Sequence, residues 1–210
     1  MKLLLLALSL FGASFAQFSE TAQNTIVEIH NDLRSKVALG EVEIGGSQHS
    51  PATNMIKIRW SPASARTAQN YANTCPDAPS GLPNVGENLY FEYSKKKPTS
   101  LDKFGPNAAN SWAEDFDIYG WNSVIFDQET QDSGIGYASQ MVWARTGYIG
   151  CGVKNCGVDL NTFTQDYRIV VVCHYREMGN VIDDPIYEEG EVCTNCPAFR
   201  SCEEETGLCL

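Results

Sequence analysis

Eight cysteines constrain most strongly what this 210-residue chain can fold into, because an even number of them can close four disulfide bonds. The first residues indicate a compartment where such bonds persist. Lys2 provides a short basic start, Leu3 to Phe11 form an apolar run, and Ser14 and Ala16 are the small residues expected before a cleavage point. We therefore expect a signal peptide over residues 1–16 and a secreted, extracellular protein. No later run reaches the roughly 20 apolar residues of a transmembrane helix.

Acidic residues outnumber basic ones by 26 to 15, a formal net charge of −11. Nucleic-acid binding needs a basic footprint that this composition lacks, so it is excluded as a function class. The charge is uneven: residues 183–210 hold eight acidic side chains and one arginine. The last 18 residues also contain four of the cysteines, Cys193, Cys196, Cys202 and Cys209. We predict a main domain over residues 17–182 and a small cysteine-rich tail over residues 183–210.

Cys193 and Cys196 are spaced as in half of a zinc ribbon or in a redox pair. An exported, acidic and loop-rich context favours structural disulfides over both alternatives. A module this small has too few apolar residues to stabilise itself by burial, so cross-links must hold it.

Local patterns predict helices early and a strand late. Apolar spacing and a following Gly40 predict a helix from Glu20 to Leu39. Ser61 followed by Pro62 is a helix start, and the small residues Ala65, Ala68 and Ala72 would allow that helix to pack closely. Pro106 to Phe116 predicts a helix that presents Trp112 and Glu114, and Arg168 to Tyr175 predicts a central strand. These elements together indicate a mixed α and β layered domain.

Four motifs in order resemble the CAP superfamily (SCP/TAPS), which includes cysteine-rich secretory, antigen 5 and pathogenesis-related 1 proteins. They are His30-Asn-Asp-Leu-Arg34, Gly86-Glu-Asn-Leu-Tyr90, Gly136-Tyr-Ala-Ser-Gln-Met-Val-Trp143, and Val170-Val-Val-Cys-His-Tyr175 with Gly179-Asn180. The resemblance spans residues 20–182. The tail spacing further resembles the hinge of nematode SCP-like extracellular or venom allergen-like proteins, including activation-associated secreted proteins, which predicts a nematode member.

The resemblance implies an α+β fold, a three-layer α-β-α sandwich whose sheet has three or slightly more antiparallel strands, followed by a disulfide-rich hinge-like tail. It also implies the disulfide pairs Cys75–Cys156, Cys151–Cys173, Cys193–Cys202 and Cys196–Cys209.

Relatives in this superfamily commonly line a cleft with two histidines and two glutamates, and in some members the histidines hold zinc. The resemblance assigns the acids to Glu87 and Glu114, but Pro79 and Tyr137 stand where the histidines are expected. Proline offers no side-chain ligand, and a phenol with a pKa near 10 is a poor zinc ligand at neutral pH. We therefore expect no zinc and no other cofactor.

The remaining histidines do not restore that metal site. His30 is expected to make structural hydrogen bonds in the first helix, His49 to be solvated in a Gly- and Ser-rich loop, and His174 to point to the opposite face of its strand from Cys173. The candidate cleft residues are Glu87, Glu114, Tyr137, Gln140 and Trp112.

We predict a non-enzymatic protein with no catalytic residues, because no Cys-His or Ser-His-Asp arrangement is apparent. Relatives bind sterols or fatty acids, and seven aromatic residues are candidates to line such a groove: Tyr90, Phe91, Tyr93, Trp112, Phe116, Tyr119 and Trp121. The acidic tail would instead suit an extracellular protein receptor with a basic surface. The alternative function is a weak hydrolase that uses Glu87 and Glu114 as general acid and base.

Overall fold

The computed structural model describes residues 18–44 and 47–210, and the predicted signal peptide lies outside the described residues. The helices are α1 (Glu20–Ala38), α2 (Pro62–Ala72), α3 (Phe104–Ala113), α4 (Asp115–Tyr119), α5 (Gln128–Asp132) and α6 (Gly136–Met141). The strands are β1 (Glu43–Ile44), β2 (Ser47–Gln48), β3 (Arg59–Trp60), β4 (Gly86–Ser94), β5 (Ile125–Phe126), β6 (Tyr148–Val158), β7 (Tyr167–Arg176), β8 (Asp184–Pro185), β9 (Cys202–Glu203) and β10 (Leu208–Cys209).

The central sheet has four strands in the order β3-β6-β7-β4. Strand β7 lies inside the sheet because its β-branched run is buried on both faces, as the sequence predicted. It pairs antiparallel with β4 and β6, but β3 joins β6 in parallel. The sheet is therefore mixed rather than purely antiparallel.

Helix α2 covers one face of the sheet, whereas α1 and α3 lie towards the other. Its contact with β6 is close because two glycines of that strand face it. A Cβ on Gly150 would lie 2.1 Å from the backbone nitrogen of Ala65, and one on Gly152 would lie 2.3 Å from the Cα of Gln69. The predicted close packing of the small α2 residues is confirmed, and the fold is a three-layer α-β-α sandwich.

Two predicted helix starts are confirmed by their caps. The Ser19 hydroxyl accepts a hydrogen bond from the Ala22 amide, and the Ser61 hydroxyl accepts one from the Ser64 amide. The single helix predicted over residues 106–116 is instead two helices, α3 and α4, which meet at Glu114.

Arg34 on α1 is a buried cation without a carboxylate partner among the described residues. Burial lowers the pKa of its guanidinium to about 9. Its nitrogens donate to five backbone carbonyl groups, those of Ile56, Met141, Trp143, Ala144 and Thr146. One side chain thus provides hydrogen bonds to the backbone carbonyls of the loops around α6 and ahead of β3. Without it, these buried acceptors would be unpaired.

Four disulfides join Cys75 to Cys156, Cys151 to Cys173, Cys193 to Cys202 and Cys196 to Cys209, the pairs that the resemblance implies. The tail is less separate than the sequence predicted. Leu208 is fully buried in one apolar cluster with Val37 and Ala38 of α1, and the Cys209 amide donates to the Met55 carbonyl at 2.8 Å. The cross-linked tail shares the core of the main domain because its few apolar residues are buried there.

None of the helices in the described ranges is long and apolar enough to cross a membrane.

Candidate functional site

Glu87, one of the predicted cleft residues, is hydrogen-bonded to His174. They lie opposite each other on β4 and β7 and share the sheet face towards α2. The His174 Nε2 lies 2.8 Å from Glu87 Oε2, and the Ser80 amide donates to Glu87 Oε1 at 2.7 Å. On the far side of the imidazole, Nδ1 lies 2.8 Å from the Thr67 hydroxyl. His174 thus points away from Cys173, as expected, and contacts a predicted cleft residue.

Burial raises the pKa of the Glu87 carboxyl, but hydrogen bonds with His174 and Ser80 outweigh burial and leave that pKa below its usual value. The carboxylate is therefore ionised at neutral pH, and both of its oxygens already have partners. The lowered pKa makes the Glu87 carboxylate a weaker general base.

Tyr137, a predicted cleft residue, is open to water, with 38% of its surface exposed. Its ring lies 6.1 Å from that of buried Trp112. Burial raises the pKa of its hydroxyl, and the charges of Asp115 and Glu87 raise it further. Glu87 and Asp115 are therefore the carboxylates whose charges act on Tyr137, and we call these three residues the acidic cleft.

The structure does not bring Glu114, the second predicted cleft acid, to Tyr137. Glu114 is exposed, and its charge acts on Tyr90 and Asp115 rather than on Tyr137. Helical geometry explains this placement: a residue three positions after buried Trp112 lies on the same helix face as Trp112, whereas a residue two positions after it does not. Asp115 is at that third position. The spacing alone could have identified it.

The surroundings of Asp115 disfavour the ionised form of its carboxyl group. Burial and then the neighbouring charge of Glu114 raise its pKa to about 6. Its buried Oδ2 has no hydrogen-bond partner among the described residues. Near pH 6 this group therefore exists as a mixture of the ionised and neutral forms.

Gln140, another predicted cleft residue, lies in the protein interior. It is buried, its amide nitrogen donates to the Thr146 hydroxyl at 3.2 Å, and its amide oxygen accepts from the Gly179 amide at 2.9 Å. Trp112 is also buried, and its indole nitrogen donates to the Leu89 carbonyl. Gln140 thus links α6 to the segment after β7. The Trp112 ring packs near the ring of Tyr137.

Thr67, His174 and Glu87 form a hydroxyl–imidazole–carboxylate array that the sequence did not indicate. The Thr67 hydroxyl also lies 2.9 Å from the Ser64 carbonyl, and its single proton can serve only one of these two acceptors. Because Thr67 lies on α2, His174 on β7 and Glu87 on β4, the array anchors both strands to that helix. These three residues lie far apart in the sequence, and only the fold brings them into contact.

His30 makes the structural hydrogen bonds that the sequence predicted. Its Nδ1 lies 2.7 Å from the Ile26 carbonyl and its Nε2 lies 2.9 Å from the Tyr175 hydroxyl. Burial lowers the pKa of His30 to about 4, so the ring is neutral and Nδ1 donates to the carbonyl. The expectation for His49 was wrong: its ring is partly buried and stacks on Trp121 with centroids 4.4 Å apart.

Three tail sulfurs, those of Cys193, Cys196 and Cys209, lie close enough together to suggest a metal site. Each is already in a disulfide, and a disulfide sulfur is not the thiolate that zinc requires. The structural reading of the Cys193 and Cys196 pair is therefore the one that fits the geometry.

An apolar groove of about 410 Å³ lies between α1 and the segment that leads into β3. Its apolar walls are Val27, Ile58, Trp60 and Leu210, and its polar lining comes from Asn24, Asn31, Lys57 and Arg59. None of the seven aromatic candidates named from the sequence lines this groove. Trp112, Phe116 and Trp121 are instead buried in the core. No local sequence pattern marks this groove, because its walls come from separate elements and from Leu210.

Comparison with known proteins gives consistent matches along most of the chain. A family model described as CAP, the cysteine-rich secretory protein family, matches residues 27–175. The Ancylostoma secreted protein of Ancylostoma caninum is 26% identical over 203 residues, which cover 95% of this chain and 45% of that relative. The chain thus spans about half the length of this curated relative.

Two solved structures share the fold. The crystal structure of NaASP2 with Zn²⁺ is similar with a TM-score of 0.80 and 29% identity, covering 92% of this chain and 97% of that one. The structure of BmVAL-1 is similar with a TM-score of 0.82 and 27% identity, covering 95% and 98%.

Proposed function

The chain belongs to the cysteine-rich secretory protein (CAP) family, and we propose that it is secreted and acts by binding an apolar ligand with an acidic head group, such as a fatty acid. The observation that carries this proposal is the groove between α1 and β3. Its volume of about 410 Å³ falls within the usual range of small-molecule sites, and its accessible lining is mostly apolar. An alkyl chain would bury against Val27, Ile58 and Trp60.

Arg59 favours a fatty acid over a sterol in this groove. Its side chain is exposed at the groove lining, and it makes no ion pair with any residue in the described ranges. Lys57, the other groove cation, is already bound to Glu203 at 2.6 Å. A guanidinium binds a carboxylate through two parallel hydrogen bonds, whereas a sterol hydroxyl offers no charge.

Direct uptake of labelled lipid tests this proposal. Purified protein should bind palmitate at one equivalent, and the substitution Val27→Phe should abolish uptake by filling the groove. Arg59→Gln should weaken palmitate binding about tenfold, corresponding to one charge-assisted contact, and should leave cholesterol binding unchanged.

Leu82→Phe provides the matched control, because it makes a similar enlargement at an exposed position ahead of β4, the opposite edge strand of the sheet. It should bind palmitate like the unmodified protein. Absence of palmitate uptake, or uptake that Val27→Phe leaves intact, would remove the groove as the ligand site.

We also propose that the acidic cleft neither catalyses hydrolysis nor holds zinc. The lowered pKa of Glu87, and the exposure of Glu114 away from Tyr137, argue against Glu87 and Glu114 as a paired acid and base. Pro79 supplies no metal ligand, and the raised pKa of Tyr137 makes its phenolate a poorer one.

Elemental analysis after dialysis should find less than one equivalent of zinc. The double substitution Pro79→His with Tyr137→His should create measurable zinc affinity if these positions face the acidic cleft. A tightly retained zinc equivalent in the unmodified protein would contradict the proposal.

A protein partner with a basic surface is the second candidate. Exposed acidic side chains of the tail support it: Asp183, Glu189, Glu191, Glu204 and Glu205. Replacing the four glutamates by glutamine should remove a salt-sensitive partner recovered by crosslinking, because the attraction is electrostatic. Substitution is the suitable test, since deletion of residues 183–210 would also remove Leu208 from the core.

A further inference from the structure

Two loops leave the same end of the central sheet. Ser94 at the end of β4 and Val158 at the end of β6 both lie opposite Tyr167, the first residue of β7. The loop that begins at Lys95 and the hairpin of residues 159–166 are therefore neighbours. The Tyr93 hydroxyl reaches Asp159 Oδ2 at 3.4 Å, which links β4 to that hairpin.

The hairpin exposes two large apolar side chains. Leu160 is 78% exposed and Phe163 is 106% exposed, the latter as open as a side chain in an extended peptide. Soluble surfaces tolerate scattered apolar residues, but two at the tip of one hairpin form a protruding apolar point. We call Leu160 and Phe163 the hairpin tip.

Internal hydrogen bonds hold the polar groups of this hairpin. Asp159 accepts from the Asn161 amide at 2.9 Å, and its carbonyl accepts from the Thr162 hydroxyl at 2.9 Å. The Thr164 hydroxyl donates to Asp166 at 2.8 Å. The polar side chains of the turn are therefore used in hydrogen bonds within the hairpin. The apolar side chains of Leu160 and Phe163 remain exposed.

The neighbouring loop carries the one run of three basic residues in this acidic chain, Lys95-Lys96-Lys97. All three side chains are exposed, and none pairs with a carboxylate of the described residues. Asp159 and Asp166 offset part of this charge, but the lysines outnumber them. The loop thus places positive charge next to the hairpin tip.

The acidic tail lies at the other end of the sheet. Its Cys209 pairs with Ile56, which leads into β3, and β3 pairs with the first residues of β6. Eleven residues of β6 separate that end from Val158, about 35 Å of strand. The chain is therefore polarised, with the lysines at one end and the net charge of −7 of residues 183–210 at the other. An anionic surface would attract the first end and repel the second.

We propose that the hairpin tip and Lys95–Lys97 dock this protein on the surface of a membrane that contains anionic lipid. The leucine and phenylalanine enter the interface between head groups and acyl chains, and the lysines bind the anionic head groups. A protruding apolar point flanked by lysines fits a deformable lipid surface better than a protein partner, which requires a broad complementary patch. Docking here does not use the groove between α1 and β3.

Vesicle co-sedimentation of the full secreted chain tests the proposal. Vesicles of phosphatidylcholine with about 30% phosphatidylserine should retain the protein at least about tenfold better than phosphatidylcholine alone, and raised salt should weaken that retention. Leu160→Ser with Phe163→Ser should abolish binding. Replacing the three lysines by glutamine should reduce binding and remove its salt dependence.

Phe199→Ser is the matched control, because Phe199 is 108% exposed but lies in the acidic tail. It should bind anionic vesicles like the unmodified protein. All substituted residues are exposed, so unchanged circular dichroism and melting temperature will show that each variant folds. Equal retention by both vesicle types, no retention by either, or unaltered binding of the double serine variant would each overturn the proposal. Palmitate uptake by the double serine variant should be normal, which separates this result from the groove proposal.

Discussion

Asp115→Asn should stabilise the protein at neutral pH. The folded protein raises the pKa of this carboxyl from 3.8 to about 6. A folded-state pKa above the unfolded value means that the folded state binds the proton more tightly, so the ionised form costs stability above about pH 6. Asparagine keeps the shape of the side chain and removes that charge.

The expected gain follows from the size of the shift. Two pH units at about 1.4 kcal/mol each correspond to about 3 kcal/mol, which is an upper limit because part of the side chain reaches water. With that screening, we expect the free energy of unfolding to rise by about 1–2 kcal/mol at pH 7.5. The gain should shrink as pH falls through 6 and vanish near pH 4, where folded Asp115 is protonated.

Urea unfolding followed by tryptophan fluorescence measures this difference, with all disulfides kept oxidised. The curves of Asp115→Asn and the unmodified protein should be compared at pH 4, 5.5 and 7.5. Glu114→Gln is the control, because Glu114 is the exposed neighbour and its charge only adds to the Asp115 shift. It should change the free energy of unfolding by less than about 0.5 kcal/mol at any pH.

A pH-independent effect of Asp115→Asn would refute this reasoning, since a change in packing alone would not follow the titration. If Glu114→Gln raised the free energy of unfolding more than Asp115→Asn, Glu114 rather than Asp115 would be the destabilised carboxylate. Loss of stability at pH 7.5 would mean that ionised Asp115 has a favourable partner.

Three further predictions concern stability. Replacing Cys75 and Cys156 together by alanine opens a loop of 81 residues and should cost about 4 kcal/mol in the chain-entropy model, measured as a lower melting temperature. Gly152→Ala would place a Cβ 2.3 Å from the backbone of α2 and should cost at least about 2 kcal/mol in urea unfolding, whereas Gly136→Ala, whose Cβ would meet nothing within 3.4 Å, should be tolerated; equal costs would contradict this packing. Burial lowers the pKa of His30 to about 4, so the folded state binds a proton less readily than the unfolded state. The free energy of unfolding of the unmodified protein should therefore fall by up to about 3 kcal/mol as pH drops from 6.5 to 4. His30→Gln should make the free energy of unfolding depend less on pH, and an unchanged dependence would count against a neutral His30.

The helices and the central strand could be predicted from local pattern. Caps at Ser19 and Ser61, the alanines of α2 and the β-branched run of β7 each act through neighbours in the sequence. The parallel strand β3 could not be predicted, because two residues carry no periodicity and their pairing with β6 depends on a distant part of the chain.

The candidate site divides in the same way. Glu87 and Tyr137 follow from the motif resemblance, but the second acid whose charge acts on Tyr137 is Asp115 rather than Glu114. Gln140 lies in a matching motif but is buried, and the motif does not say which side of the cleft wall a side chain occupies. The contact of His174 with Glu87 arises from strand register, which alternation within one strand cannot reveal.

The sequence by itself determined the number of disulfides that its cysteines allow, the family, and the charge imbalance between residues 17–182 and the tail, and it predicts export. Those properties depend on residue type and local order. Only the tertiary structure decided that Leu208 of the tail lies in the common core, that a groove opens beside Arg59, and that Lys95–Lys97 lie next to Leu160 and Phe163. These features join residues far apart in the chain, and their proximity is set by strand pairing and close packing rather than by any local preference.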